Sequence, residues 1–415
     1  MKEKEDCLTL AVIGGGAAGF FGAIASARHS PGHRVLLLEK TRQVLSKVRI
    51  SGGGRCNVTH ACFDPALLIK YYPRGGKELR GPFSRFQPRD TIQWFENRGV
   101  ILKTEEDGRM FPVTDRSETI INCLSNEAQT SGVELLLEHG IESIRQIRPQ
   151  RFILDLTNGQ TVECDRLLIA TGSTPKIYPI LEKLGHAIVP LVPSLFTFNI
   201  PDSPFLDLSG VTVSSVLVHL SQSGLKQKGP LLFTHWGLSG PAILKLSAWG
   251  AREMHAADYR TEVVINWVPD HSKEEIQQLL LENKRTSAGK LIGGDPSFGL
   301  PKQLWKKLVH LAGLSENLRW SALSNKNLQD LVRQLYFTSL NVKGKTTYKQ
   351  EFVTCGGVAL EEVNFKTMES RLCPGLYFAG EVLNIDGVTG GFNFQNAWTT
   401  AWIAGQSIFE ICDTC

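Results

Sequence analysis

Residues 8–40, LTLAVIGGGAAGFFGAIASARHSPGHRVLLLEK, decide the fold of this chain. An apolar run enters a glycine-rich turn, and a second apolar run ends at Glu39. In a strand, turn, helix and strand of this kind, Gly14 makes the tight turn, Gly16 lets the backbone approach a pyrophosphate, and Gly19 packs the helix on the strand. The helix N-terminus then binds the phosphates. The pattern predicts a dinucleotide site in an α/β domain; a glycine-rich loop without a ligand is the alternative.

The acid at the end of the second strand indicates which nucleotide fits. Glu39 lies twenty residues past Gly19. A carboxylate at this place accepts hydrogen bonds from ribose hydroxyls. The same negative charge argues against a nucleotide with a 2′-phosphate.

Length and composition restrict the class of protein. The 415 residues allow two or three domains, and 42% apolar residues are enough for a large core. A net charge of +4 is too small to imply nucleic acid as a partner. The charge-free residues 8–27 are long enough to resemble a membrane span, but they contain five glycines and fit the nucleotide turn better. Because the mixed-charge start MKEKEDC is unlike a signal peptide, we expect a soluble, cytoplasmic protein.

The nine cysteines are odd in number and dispersed, which is typical of reduced thiols rather than of a disulfide framework. Cys412 and Cys415 form a C-x-x-C pair, but a terminal segment offers nothing that would lower a thiol pKa for redox chemistry. The histidines are also dispersed, so the sequence predicts no metal centre.

The pattern of the chain changes twice along its length. After Pro190 short alternating strands predict a β domain, and from Ser272 to Leu331 apolar residues recur with helical spacing. Strand patterns then resume before a final strand and helix. We therefore predict a discontinuous nucleotide domain over residues 1–190 and 355–415, an inserted β domain over 191–270 and 332–354, and a helical subdomain over 271–331.

A second cofactor motif lies near the C-terminus. The apolar run LYFA delivers Gly380 and Glu381, and residues 386–393, DGVTGGFN, open the last helix. An acid here can bind ribitol hydroxyls, and amides at a helix N-terminus can face a pyrophosphate or a reduced flavin. These features favour FAD over NAD; a capped helix after a buried strand is the alternative. Since no second strand–GxGxxG–helix unit follows Gly172, NAD(P)H would visit the flavin only as a transient reductant.

Four further motifs identify a resemblance: ISGGGRCN from residue 50, FTHWGLSGP from residue 233, VTCGGV and FAGEVL. With them the chain resembles the BaiN/YhiN-like bacterial flavoproteins, often labelled aminoacetone oxidase family FAD-binding enzymes. The resemblance runs from about residue 8 to residue 405. It implies a glutathione-reductase-like Rossmann FAD domain, interrupted by a β-barrel-like domain that carries a small helical subdomain.

The resemblance also implies which residues contact FAD. They are Gly14, Gly15, Gly16, Ala17, Ala18, Gly19, Glu39, Lys40, Lys47, Ser51, Gly52, Gly53, Gly54, Arg55, Cys56, Asn57, Ile141, Ala170, Thr171, Gly172, Gly380, Glu381, Asp386, Gly387, Val388, Thr389, Gly390, Gly391, Phe392 and Asn393. The chain departs from the family at two places. Asn384 stands where the family usually has Asp, and the loop after Gly172 is short.

Three residues are candidates for the chemistry. His235 is the candidate general acid or base, since histidine titrates near neutrality, and a histidine held within a β turn is the alternative. Arg55 could stabilise charge near a reduced flavin or form an ion pair that shapes its loop. Cys56 could be a redox thiol or a small packed residue.

The leading functional hypothesis is an FAD-dependent oxidoreductase that transfers hydride or electrons between the flavin and a small substrate or NAD(P)H. It would be either a reductase or an amine-type oxidase. One alternative is an RNA-associated flavoprotein like those that modify tRNA, because Lys284, Arg285 and residues 302–307 form basic runs, although such runs are most simply solvated helix faces. The other alternative is an FAD-binding structural or sensory protein without catalysis.

Overall fold

A computed structural model describes residues 7–294, 296–346 and 353–410. Cys412 and Cys415 lie outside the described residues. The chain divides into two compact units, one with residues 7–193 and 353–410 and the other with residues 194–346. The predicted division into three parts, with a separate helical subdomain over residues 271–331, is finer than these two units and stays a prediction.

The described strands follow one another along both units. They are β1 (Thr9–Ile13), β2 (Arg34–Glu39), β3 (Thr59–His60), β4 (Leu102–Thr104), β5 (Arg109–Pro112), β6 (Glu134–Leu137), β7 (Ile141–Arg148), β8 (Arg151–Leu156), β9 (Thr161–Cys164), β10 (Arg166–Ile169), β11 (Ile188–Ser194), β12 (Thr197–Asn199), β13 (Thr212–Leu220), β14 (Lys226–Thr234), β15 (Gly237–Ser239), β16 (Arg260–Asn266), β17 (Thr338–Lys343), β18 (Lys345–Thr346), β19 (Val353–Val358), β20 (Val363–Asn364), β21 (Glu369–Ser370) and β22 (Leu376–Phe378).

The described α-helices range from one to about four turns. They are α1 (Ala17–His29), α2 (Ser46–Gly54), α3 (Pro65–Leu68), α4 (Gly76–Arg85), α5 (Pro88–Glu96), α6 (Ser117–Thr130), α7 (Tyr178–Lys183), α8 (Pro241–Trp249), α9 (Ala251–Ala256), α10 (Lys273–Thr286), α11 (Lys302–Leu311), α12 (Asn325–Tyr336) and α13 (Phe392–Ser407). Among these elements no helix combines the length and the apolarity needed to cross a membrane.

A seven-stranded sheet forms the centre of the first unit, in the order β20-β21-β22-β10-β1-β2-β6. Strand β1 pairs in parallel with β2 and β10, and β10 pairs in parallel with β22. The apolar runs of β1, β2 and β10 are buried. Helix α1 packs on all three strands, and the β8–β9 pair contacts β1 and β10. Parallel strands end at one edge, so the residues that follow β1, β2, β10 and β22 meet there.

Helices α1 and α13 pack closely on this sheet. A Cβ atom on Gly405 would lie 2.5 Å from the Cβ atom of Ala25, and one on Gly22 would lie 2.6 Å from a methyl group of Leu168. Glycine at these two positions therefore sets how near α1 can approach α13 and the sheet. The close packing fixes the N-terminus of each helix relative to the strand edge.

Smaller sheets complete the first unit. Strands β7, β8 and β9 form an antiparallel meander. Strands β3, β5 and β4 form another, and β11 pairs with β19.

The second unit is a seven-stranded sheet in the order β17-β16-β13-β14-β15-β12-β18, with antiparallel neighbours. Its buried aromatic residues Phe198, Phe233 and Trp267 belong to one core with the apolar faces of α8 and α10–α12. Ser272 begins α10 with a capping box, in which its hydroxyl accepts from the Glu275 N–H while the Glu275 carboxylate accepts from the Ser272 N–H. The helical spacing of the sequence thus corresponds to real helices here.

Candidate functional site

The first glycine turn follows β1 directly. Gly14 has φ +109°, and a Cβ atom on it would lie 2.6 Å from the carbonyl oxygen of Ala170. A Cβ atom on Gly19 would lie 1.8 Å from the carbonyl oxygen of Gly14. Around Gly16, in contrast, no atom lies within 4 Å of the Cβ position. Two glycines are therefore required by packing, whereas Gly16 leaves open space at the start of α1, where a pyrophosphate would bind.

The Glu39 carboxylate is fixed beside this turn. It accepts hydrogen bonds from the Gly15 N–H at 2.8 Å, from the Thr41 N–H at 3.0 Å and from the Thr41 hydroxyl at 2.9 Å. The Glu39 carbonyl oxygen also accepts a hydrogen bond from the His139 N–H at 2.9 Å, which holds the chain before β7 beside the end of β2. Ile141 begins β7 only two residues later. Glu39 and Ile141, two of the predicted FAD contacts, thus lie close together at the end of β2.

The turn after β10 brings a second group of predicted contacts to the same edge. Gly172 has φ +61°, and a Cβ atom on it would lie 3.6 Å from Glu381 Oε2. The Glu381 carboxylate forms an ion pair with Lys47 and accepts a hydrogen bond from the Thr354 N–H at 3.1 Å. Residues far apart in the sequence therefore converge beside the first glycine turn.

The ISGGGRCN segment forms a kinked end of α2. Its three glycines all have left-handed φ values, +58° at Gly52, +68° at Gly53 and +84° at Gly54. Such angles favour glycine because other residues meet steric strain there. No atom lies within 4 Å of a Cβ atom on Gly53 or Gly54. Gly53 and Gly54 thus present open backbone, which suits contact with a bound group.

The loop before α13 is held by side-chain amides. Asn393 donates to the Gly387 carbonyl oxygen at 2.9 Å and accepts from the Gly387 N–H at 2.8 Å. With its amide oriented to satisfy both groups, Asn57 accepts from the Gly391 N–H at 3.0 Å and donates to the Thr59 carbonyl oxygen at 3.1 Å. These bonds join the ISGGGRCN segment to the N-terminus of α13, where a helix favours negative charge.

Asp386 is fully buried. Its two carboxylate oxygens accept hydrogen bonds from Nε and Nη2 of Arg74. Its side chain therefore anchors the loop, and any contact with FAD would come from its main chain. Sequence reasoning did not find Arg74, because no local pattern marks a partner 312 residues away.

Phe392 opens α13 and stacks on two neighbouring rings. Its centroid lies 4.4 Å from that of Tyr71 and 4.6 Å from that of His60, with both pairs stacked. The Tyr72 hydroxyl donates to the Phe392 carbonyl oxygen at 2.7 Å. These contacts fix the first turn of the helix.

The remaining predicted FAD contacts lie in the segments already described. Ala17 and Ala18 open α1, Lys40 follows β2, Ser51 precedes the three glycines, Thr171 lies between Ala170 and Gly172, Gly380 follows β22, and Val388, Thr389 and Gly390 lead to Gly391.

Arg55 and Cys56 have settled partners within the protein. The Arg55 guanidinium lies 2.6 Å from Glu105 and 4.0 Å from the ring centroid of Phe111. Its hydrogen bond to Glu105 raises the pKa of Arg55. Cys56 is fully buried, and burial raises the pKa of its thiol to about 12. Arg55 thus has the geometry of an ion pair that shapes its loop, and Cys56 has that of a packed residue.

His235 lies in the second unit, in the connection between β14 and β15. Its side chain is exposed and makes no hydrogen bond within the described part of the chain. The ring is therefore available to solvent, and its role as acid or base stays a prediction.

Among several buried polar atoms of the first unit that lack a hydrogen-bond partner within the described residues, two lie in segments that matter for the site. Neither the Asn384 Oδ1 atom nor the Tyr178 hydroxyl has a hydrogen-bond partner among the described residues. Both residues lie where the chain departs from the family pattern, and no sequence signal marks a missing partner. Buried polar groups in proteins are normally paired, so these atoms fit a bound group that supplies polar atoms. Together with the open glycines and the N-termini of α1 and α13, they fit FAD.

Residues 8–407 match the family model described as HI0933-like protein Rossmann domain. The chain belongs to this HI0933-like family. The match confirms the predicted resemblance and assigns the chain to a family of FAD-binding Rossmann proteins.

Two curated relatives cover nearly the whole HI0933-like chain. It is 32% identical over 410 residues to a ribosomal RNA dihydrouridine synthase of Escherichia coli (strain K12), covering 96% of this chain and 97% of that protein. It is 26% identical over 415 residues to a 3-dehydro-bile acid delta(4,6)-reductase of Clostridium scindens, covering 97% of this chain and 99% of that protein.

Solved structures confirm the fold class. A 3-ketosteroid-delta4-(5alpha)-dehydrogenase from Rhodococcus jostii RHA1 superposes with a TM-score of 0.51 at 14% identity, covering 98% of each chain. A 3-ketosteroid delta1-dehydrogenase from Sterolibacterium denitrificans gives 0.50 at 13% identity, covering 96% of this chain and 99% of the other. At these identities the likeness shows the fold alone. With the family match, the chain is an α/β flavoprotein of an FAD-dependent oxidoreductase family.

Proposed function

We propose that this protein is an FAD-dependent reductase of a carbon–carbon double bond conjugated to a carbonyl group, and that its substrate is a uracil base in ribosomal RNA. The similarity over nearly the full chain to a ribosomal RNA dihydrouridine synthase carries the proposal. A second such protein, from Haemophilus influenzae, is 31% identical over 414 residues.

The two kinds of curated relative share a bond type. Dihydrouridine is uridine with its C5–C6 double bond reduced, and that bond is conjugated to a ring carbonyl. A delta(4,6)-reductase of a 3-dehydro-bile acid, by its name, acts on double bonds conjugated to a ketone. A bound flavin, once reduced, would supply hydride to such bonds. This common chemistry supports the reductase over the amine-type oxidase of the initial hypotheses.

The chain's own residues would bind and orient the cofactor. The open backbone at Gly16 would receive the pyrophosphate, and Glu39 would hold a ribose. Amides at the N-terminus of α13 would place partial positive charge beside the flavin, which stabilises negative charge there. We propose His235 as the group that gives a proton to the substrate, because its exposed imidazole makes no hydrogen bond within the described residues.

The choice of RNA does not depend on the basic runs of the helical segment. Lys306 lies 2.8 Å from Glu316, and Lys307 lies 2.8 Å from Asp207, so both charges are already paired. The similarity to the ribosomal RNA enzymes is higher than that to the bile acid reductase, at 32% against 26%. A small dienone is therefore the second candidate substrate.

The test begins with the purified holoprotein under anaerobic conditions. NADH or NADPH is added while the visible flavin band is followed, and bleaching identifies the proposed reductant. The reduced protein then receives ribosomal RNA that lacks dihydrouridine, or a 3-keto-4,6-diene steroid.

Return of the flavin band with RNA, together with dihydrouridine in the digested product, is the expected result. RNA turnover should also fall steeply as salt rises, because phosphate contacts release counterions. Reoxidation by the steroid alone would favour the second candidate. Reoxidation by neither substrate would refute the proposed reaction, and a band that no nicotinamide bleaches would refute NAD(P)H as the donor.

A further inference from the structure

Tyr178 opens helix α7, six residues after Gly172, in the loop that is short in this chain. Its side chain is only 4% exposed. The hydroxyl has no hydrogen-bond partner among the described residues. A buried tyrosine hydroxyl without a partner is unusual, because leaving it unpaired costs about 1–3 kcal/mol.

The protonated hydroxyl both donates and accepts hydrogen bonds, and its O–H needs a partner that carries a lone pair. Burial raises the pKa of Tyr178, and the negative charge of Glu381 raises it further. The group thus keeps its proton across the physiological range. The missing partner is therefore an acceptor atom.

Tyr178 also lies close in the chain to the predicted FAD contacts, six residues after Gly172 in the first unit. Glu381 lies beside Gly172 at the strand edge that carries the predicted FAD contacts. The two Glu381 oxygens accept from Lys47 and from the Thr354 N–H, and Tyr178 makes no bond to them. No described residue supplies this acceptor, which leaves the O–H free for a molecule bound at this edge.

We propose that Tyr178 is an FAD-binding residue, whose hydroxyl donates a hydrogen bond to an acceptor atom of the flavin portion of FAD. The inference rests on the proposed FAD site and adds a residue to it. A donor at the flavin stabilises the electron-rich reduced form more than the oxidised form. Tyr178 thereby tunes the cofactor as well as holding it.

The test compares the wild type with Tyr178→Phe, and uses Tyr336→Phe as the matched control because Tyr336 is 40% exposed on α12 in the other unit. Holoprotein is diluted in steps, and released FAD is measured by its fluorescence. We expect Tyr178→Phe to bind FAD about tenfold more weakly, since an acceptor loses its donor. Its visible flavin band should shift and its midpoint reduction potential should fall. The control should change none of the three.

The readouts separate the inference from the site on which it rests. Equal FAD affinity, spectrum and potential in wild type and Tyr178→Phe would overturn the role of Tyr178 alone. Wild-type protein that holds no FAD would overturn the FAD site itself. Lower thermal stability of Tyr178→Phe with unchanged affinity, spectrum and potential would show a purely structural role and would also overturn the inference.

Discussion

Gly16 and Gly19 stand three residues apart in one turn, yet the space around them differs. Alanine at position 19 would put a Cβ atom 1.8 Å from the Gly14 carbonyl oxygen. This clash is with a backbone atom, which cannot move aside as the end of a flexible side chain could. Overpacking of this kind costs about 3 kcal/mol or more. For a domain of this size the melting temperature should fall by about 6–12 °C.

Alanine at position 16 should behave in the opposite way. Gly16 has φ −93° and ψ −170°, which any residue adopts, and its Cβ position is empty to 4 Å. Gly16→Ala should therefore change the free energy of unfolding by less than about 1 kcal/mol. The new methyl group would occupy the space into which the pyrophosphate fits. A steric cost of about 1–3 kcal/mol there weakens FAD binding by about 5- to 150-fold.

The two variants are compared after FAD is removed, because bound ligand itself raises the melting temperature. Thermal unfolding by circular dichroism gives the stability, and quenching of FAD fluorescence gives the affinity. Gly16→Ala with wild-type affinity would refute the placement of the pyrophosphate at this turn. Gly19→Ala with wild-type stability would refute the packing argument.

Three further results follow from buried groups. Burial lowers the pKa of His186, so the neutral ring contributes its full stability above pH 6.5 and this stability is lost as the pH falls below that value. In urea unfolding, His186→Gln should make the free energy of unfolding depend less on pH over this range. Asp386→Asn should destabilise the protein by about 3 kcal/mol in the same assay, because Arg74 stays buried without its charge partner. Iodoacetamide at about pH 8 should label exposed Cys7 but leave Cys56 unmodified, as read by mass spectrometry.

The sequence allows prediction where a local pattern has one physical cause. The apolar run, the glycines and Glu39 lie within 33 residues, and each is needed for the strand–turn–helix unit that the structure contains. Helices α10–α12 were likewise predicted, because helical periodicity and capping residues are local signals. Strand order in the second unit was not predicted, since the pairing of β13 with β16 depends on packing between distant segments.

The same distinction explains which parts of the site can be recognised in the sequence. The proposed FAD contacts are largely main-chain groups, and the turn that presents them requires glycine wherever a Cβ atom would meet backbone, as at Gly14 and Gly19. Side chains that meet the flavin or the substrate face no such constraint, and a position such as Tyr178 differs from its surroundings only in lacking a partner. Cofactor is therefore predictable from this sequence, whereas substrate must be established by the reoxidation experiment.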